Sequence, residues 1–290
     1  MKRLLLVLIV LQLLTSPGLW AQDLESILES EQSDSLENEY VKGIFKTSRL
    51  INSSTVEQGS KSEMLFFISH RFGSVSKGIS NFFGLDESAN IRIGFEYGIS
   101  DRLTVGFGRS KINKLYDVYL QYKLLRQQTG ERNIPLTICF KGGTAINSEA
   151  KPDNVENYGI YRLNYYATLL IGSKLTPRLS VQLMPLAVHQ NLVRTEADKN
   201  DIFAIGIGGR FKVGKRFSIH SEYYYVLPNQ ISSTYYNPLS VGFEMETGGH
   251  VFQLFASNTL GMTEKAMIPY TENSWGKGDV LIGFNICRIF

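Results

Sequence analysis

Ile91-Arg92-Ile93-Gly94-Phe95-Glu96-Tyr97-Gly98-Ile99 separates into two chemically distinct rows when read at every second residue. Ile91, Ile93, Phe95, Tyr97 and Ile99 form an apolar row, and Arg92, Gly94, Glu96 and Gly98 a polar or small one. A period of two belongs to the β-strand, whose successive side chains face opposite sides. The next stretch repeats the arrangement, with Leu103, Val105 and Phe107 set against Thr104, Gly106 and Gly108 across the turn Ser100-Asp101-Arg102. The last stretch, 280–290, places an apolar residue at nearly every second position and ends on an aromatic, Phe290.

Further strands obey the same parity at 63–72, 116–125, 134–141, 161–174, 179–189, 203–213, 217–227, 238–246 and 250–257. With 280–290 the sequence predicts about twelve strands, most of them of the roughly 9 to 12 residues that a tilted membrane strand needs. The expected fold is all-β, a closed antiparallel up-and-down transmembrane β-barrel, because lipid tolerates sheet only without open edges. The 26 glycines, 15 tyrosines and 17 phenylalanines fit it. Short connections near 100, 128, 176, 215 and 247 alternate with longer ones at 73–89, 142–159, 190–201, 228–237 and 258–279, with Ser110 to Asn113 a short exception on the long side. The short side is then periplasmic and the long side external. Residues 44–52 spoil the count: they would lie at the periplasmic mouth, enter the lumen, or pair with an unrecognised strand.

Met1-Lys2-Arg3, the apolar run Leu4 to Leu14 and the small residue Ala21 read as a cleaved export signal over 1–21, too short for the roughly 20 residues of a spanning helix. Residues 22–42, rich in acids and serines, read as a disordered periplasmic leader before a barrel domain at 43–290. That barrel domain carries a net charge of +7, which suits an anion-friendly lumen, contacts with lipid headgroups, or a scattered solvated surface.

Phe45-Lys46-Thr47-Ser48-Arg49-Leu50-Ile51-Asn52, Ile68-Ser69-His70-Arg71-Phe72-Gly73 and Asn81-Phe82-Phe83-Gly84-Leu85-Asp86 carry a resemblance. Arg92, the run from Tyr97 to Ser110, and Tyr122-Lys123-Leu124-Leu125-Arg126-Gln127 continue it. On these the chain resembles an uncharacterised family of outer-membrane β-barrel proteins from Bacteroidota, a domain of unknown function. The resemblance implies a membrane barrel and leaves its activity open.

Function should show on the inward row, where charges must be paired or wet. Arg71, Arg92, Glu96, Asp117, Lys123, Arg162, Arg210, His220, Glu222 and Glu244 take inward parity and are the expected lumen lining. Arg102, Lys141, Lys174, Lys212 and Glu246 share it. A hairpin closed around 214–216 sets Arg210 opposite His220 and Gly208 opposite Glu222, so His220, Glu222 and Arg210 read as one network. The lumen is then either a polar channel or a plug of ion pairs, since about twelve strands fall between filled and open barrels. The inward glycines make room for water or for large neighbours. His70, His189 and His250 fall on the apolar row near strand ends, as interfacial rings do. Cys139 and Cys287, on the fifth and twelfth strands, are expected free.

No spaced catalytic set appears, and no metal or cofactor is implied. Loop 73–90 caps the rim with Phe82 and Phe83 or folds inward; loop 258–278 contains one or two helical turns after Met262. The expected partners are outer-membrane lipid and, through Phe290 as assembly signal, the barrel-assembly machinery; nothing points to nucleic acid. The expected function is a narrow pore, conduit or scaffold with a charged lumen in the cell outer membrane; a lipid-modifying hydrolase is the alternative.

Overall fold

A computed structural model describes residues 38–87, 89–150, 158–196 and 198–290. The expected export signal and the leader up to residue 37 lie outside the described residues. Twelve antiparallel strands form a closed barrel: β1 (Met64–Ser74), β2 (Asn90–Ser100), β3 (Leu103–Ser110), β4 (Leu115–Leu125), β5 (Thr137–Asn147), β6 (Leu163–Lys174), β7 (Leu179–Gln190), β8 (Asp201–Lys212), β9 (Phe217–Val226), β10 (Leu239–Thr247), β11 (His250–Ser257) and β12 (Leu281–Ile289). Each pairs with its neighbours in sequence, and β12 closes the ring on β1 through pairs such as Asn285 with Ser69 and Ile289 with Leu65. At the seam the Phe290 N–H donates to Met64 O at 2.8 Å, and the Met64 N–H to Phe290 O at 3.2 Å.

Parity decides which way each side chain faces. Along β2 the apolar row of Ile91, Ile93, Phe95 and Tyr97 is exposed to the surroundings, and Asn90, Arg92, Gly94 and Glu96 are buried inside. The same outward apolar row continues around the wall, which turns an aqueous liability into a lipid-matched surface. Two tight turns share one device: the Ser100 hydroxyl accepts from Arg102 and Leu103 N–H, and the Thr176 hydroxyl from Arg178 and Leu179 N–H. Each hydroxyl satisfies backbone donors that the turn leaves free.

Two strands begin clearly later than the sequence suggests: β6 starts at Leu163 and not at Tyr161, because Tyr158–Tyr161 is a helical turn, and β5 is shifted further. β5 spans 137–147 and not 134–141, because Pro135 has no N–H for a ladder and Ile134 instead bridges back to Gln128. The connection before it, 126–136, is consequently the longest on the short-turn side. Its Gln128–Thr129 pairs with Glu39–Tyr40, so the end of the acidic leader is an ordered edge against the barrel's mouth. On the other side, loop 75–87 stays outside the lumen: Ile79, Phe82 and Phe83 are exposed, the two phenylalanines in left-handed backbone conformation.

Inward glycines serve large neighbours. A Cβ at Gly94 would strike the Phe67 ring, at Gly106 the Tyr119 ring, at Gly206 the Tyr224 ring and at Gly143 the Tyr166 ring. Four aromatic side chains can thus lie flat against the inner wall, and the lumen is narrower than its strand number alone implies.

Candidate functional site: a lumen closed from both ends

Residues 44–56 enter the barrel from the short-turn end, so of the three placements open to 44–52 the lumen is the one occupied. The segment reverses on itself at mid-barrel: Leu50 N–H donates to Ser53 O at 2.9 Å and Thr55 N–H to Ser48 O at 2.9 Å. Its Ser, Thr and Asn side chains suit a tight reversal in which the backbone must find partners locally or on the wall. We call this hairpin the plug.

The wall grips the plug with side chains. Glu222 on β9 is the centre: its Oε1 accepts from Asn52 N at 2.8 Å and Asn52 Nδ2 at 2.7 Å, and its Oε2 from Ser53 N at 3.1 Å and Ser53 Oγ at 2.7 Å. A carboxylate with both oxygens filled by four donors is the strong, charge-assisted kind of contact. Arg71 Nη2 on β1 donates to Asn52 Oδ1 at 2.6 Å, and its guanidinium lies 4.1 Å from the Phe255 ring centre. Amides on other strands finish the plug backbone. Gln182 accepts from Val56 N and donates to Ser54 O; Gln121 donates to Thr55 O, Gln253 to Arg49 O and Asn285 to Ile51 O. The plug's own Arg49 donates to Tyr119 OH at 3.1 Å and stands over the Phe67 ring.

One side of the lumen is apolar. Leu170, Met184, Leu186, Val188, Ile202 and Val226, from β6 to β9, pack with plug residues Ile44, Phe45, Leu50 and Val56. The inner row, expected to be polar or small, instead carries large apolar side chains along this wall. Its signal stands in the sequence: Leu183 to Val188 is apolar at every position, the mark of a strand buried on both faces.

The opposite end is closed by loop 258–279, which contains one helical turn, Glu264–Met267, and buries Met262, Met267 and Ile268. This is the lid. Lys141 on β5, wholly buried, joins lid and plug: its Nζ donates to Glu264 Oε1 at 2.6 Å and to Ser54 Oγ at 2.8 Å. Burial alone would raise the Glu264 carboxyl, but Lys141 and then Arg49 outweigh it and hold it below the ordinary value.

Most residues expected in the lumen are there. Arg71, Arg92, Glu96, Asp117, Lys123, Arg210, His220, Glu222 and Glu244 are all buried on the inward row. Arg92 pairs with Asp117 at 3.1 and 2.5 Å, and Glu96 accepts from Tyr119 OH at 2.5 Å. Arg162 is the exception: it precedes β6, at the long-loop rim, and donates to Glu149 O at 2.8 Å. Arg102 is likewise exposed in its turn. The expected network of His220, Glu222 and Arg210 is not formed. Register sets Arg210 opposite His220 as anticipated, yet Arg210 donates to Glu244 at 2.7 Å and to Glu246, while Glu222 is taken by the plug. Neither ring nitrogen of His220 has a well-aligned partner. Cys139 and Cys287 are free and buried. Among the described residues no group of His, Cys, Asp or Glu is arranged to hold a metal ion.

Lumen-facing polar residues are almost inaccessible to water: Arg71, Lys141, Ser240 and Ser257 at 0 %, Arg92 and Gln182 at 1 %. A water passage would leave its lining wet, so in this state the barrel is shut. No helix among the described residues is long and apolar enough to cross a membrane, and the strands make the crossing.

Fold and site together define a membrane-bound β-barrel whose lumen is filled by its own chain. The protein belongs to the family described as a membrane bound beta barrel domain (DUF5777), matched over residues 45–290. That match begins with the plug, so plug and barrel are parts of one family unit. Among solved structures the chain is similar to the NanC porin (8 % identity, TM-score 0.47, covering 78 % of this chain and 98 % of that one) and the KdgM porin (10 %, 0.46, 79 % and 98 %). A third is an outer membrane channel from Pseudomonas putida F1 (11 %, 0.44, 81 % and 97 %). No curated protein matches the chain in sequence.

Proposed function

We propose that the protein is a non-enzymatic outer-membrane barrel that works as a gated conduit, with the plug as its inner gate and the lid as its outer one. The observation that supports it is the chemistry of the plug's seat. Among the described residues the wall reaches the plug backbone only through side chains, with Glu222 at the centre. The plug therefore contributes nothing to the barrel ladder and can leave without breaking it. A core built to stay dry gains as much from apolar packing as from buried ions. Charged and amide groups have the further property that water can replace the plug. Phe290, exposed at the closing seam, is the residue that assembly machinery would read.

The alternative, a lipid-modifying hydrolase, needs a base next to a hydroxyl nucleophile. His189, near the long-loop rim, spends one nitrogen on Asp201 at 2.7 Å and the other on Asn191 Oδ1 at 3.0 Å, which favours a structural pair. Planar-bilayer recording separates the readings. Wild-type protein is expected to be mostly silent with rare discrete openings, and a variant with 44–56 replaced by a Gly/Ser linker of equal length persistently open. A folded but silent linker variant refutes the conduit, and phospholipid hydrolysis by either protein supports the enzyme.

A further inference from the structure

At the long-loop end of the lumen, three side chains more than nine-tenths buried bring together polar groups that are incompletely partnered. Lys265 on the lid lies within 4.0 Å of no carboxylate among the described residues. Its Nζ donates to Gln190 Oε1 at 3.1 Å and stands 4.7 Å from the Tyr270 ring centre. Gln190, at 0 % exposure, leaves its Nε2 without a well-aligned acceptor, and the hydroxyl of Tyr270 is buried without a well-aligned partner. The Gln190 amide reaches the Tyr270 hydroxyl without full hydrogen-bond alignment. A second cation, Arg194, lies 4.0 Å from the same Tyr270 ring centre and pairs with Glu272 at 3.0 Å. Tyr270 and Arg194 also line a cavity of about 250 Å³, together with residues that include Asn113, Gly261, Ala266 and Glu272.

An ammonium, an amide N–H and a phenol hydroxyl are donors, and a buried cation without a counter-charge is unfavourable. One group relieves all of them: an oxyanion. We propose that this cluster binds the carboxylate or phosphate of a small solute entering from the long-loop end. Gln190 is on the inward row of β7, so a headgroup in the surrounding bilayer, which meets the outward row, is on the wrong side of the wall. The inference stands whether or not the barrel conducts, because the site is formed in the shut state.

The charged and titratable groups around Lys265 are accounted for. Asp198 is held by Thr195 and by Ser232 N–H, Tyr235 meets Tyr270 edge-on, Glu272 pairs with Arg194, and Glu264 with Lys141. Burial, then Arg194, pushes the Lys265 ammonium down to about 8. The lysine is charged at neutral pH, so oxyanion binding is complete below that value and is lost as pH rises through it. A bound anion moves the loss to higher pH.

The test is titration calorimetry of refolded protein with inorganic phosphate and with acetate, at neutral pH and well above 8, on wild type, Lys265→Met and Gln190→Leu. We expect one oxyanion per barrel at neutral pH, with affinity reduced at least ~10-fold by Lys265→Met or by alkaline pH, as loss of a charge-assisted donor implies. Binding that is unchanged in Lys265→Met overturns the proposal, as does absence of binding for both anions, which leaves the cluster to water. Should the variants fail to fold, the wild-type pH profile decides: affinity that is flat across about 8 overturns it. Binding of anionic-lipid micelles without binding of free phosphate also overturns it.

Discussion

Glu222 shows how much a single inward position can carry. Parity alone placed it in the lumen, since it alternates with Tyr223 and Ser221 on a strand whose outward row is apolar. What parity could not supply is its partner, because Asn52 and Ser53 are 170 and 169 positions away and no periodicity links a hairpin to the wall it enters. His220 failed for the same reason: pairing across a hairpin is local, and the choice of Arg210 between Glu222 and Glu244 was settled by a distant segment. Glu222→Gln keeps size and removes charge, and an amide nitrogen cannot accept from the Ser53 donors. Leaving such donors buried and short of an acceptor costs about 2 to 4 kcal/mol. Hydrogen exchange at the Asn52 and Ser53 amides should therefore accelerate by roughly 30-fold or more, while barrel-ladder amides stay protected. Equal protection in both proteins would mean that the carboxylate does not seat the plug.

Plug and lid, as elements, meet at Lys141. Its ammonium has one bond to each, so removing either partner should weaken the hold on the other, and the seating of plug and lid is expected to be coupled. We expect Lys141→Met and Glu264→Gln each to raise channel activity. Combined, they should add less than the sum of the single effects, with a coupling of about 1 to 3 kcal/mol in the opening equilibrium. Strict additivity counts against the link. The Glu264 carboxyl sits below its ordinary value near 4.5, so its contribution is intact above that value and is lost as pH falls through the lower folded-state value. Acidification well below 4.5 should thus open the wild type, and leave Glu264→Gln unresponsive by this route. Elements were otherwise largely legible. The start of β5 was misplaced because of Pro135, and its end because Gly142 interrupts the apolar row although the strand runs on; Gly143, on the inward row, leaves room for the Tyr166 ring.

For the whole molecule, the question is where the net charge of +7 over residues 43–290 resides. The sequence left an anion-friendly lumen among the possibilities, because a surplus of cations has no address until the strands are closed into a ring. Once closed, the inward row balances. Arg92 faces Asp117, Arg210 faces Glu244 and Glu246, Lys141 holds Glu264, and the unpaired Arg71 shares Asn52 with Glu222. The surplus lies outside the lumen, on rims and loops that meet water and headgroups. Removing the plug takes Arg49 with it, leaving Glu96 without its nearby guanidinium and shifting the balance, if anything, towards acid. An unplugged barrel with alternating signs along its wall should discriminate weakly between ions, because opposite charges within a few ångströms cancel beyond about one Debye length, ~10 Å at 0.1 M salt. The linker variant is therefore expected to show a reversal potential near zero in a potassium chloride gradient. Its barrel should still migrate as a folded species until heated, since the closing pairs of β12 with β1 do not involve the plug. A reversal potential showing strong anion preference would mean that the inward charges are not paired in the open state, and that the wall rearranges when the plug leaves.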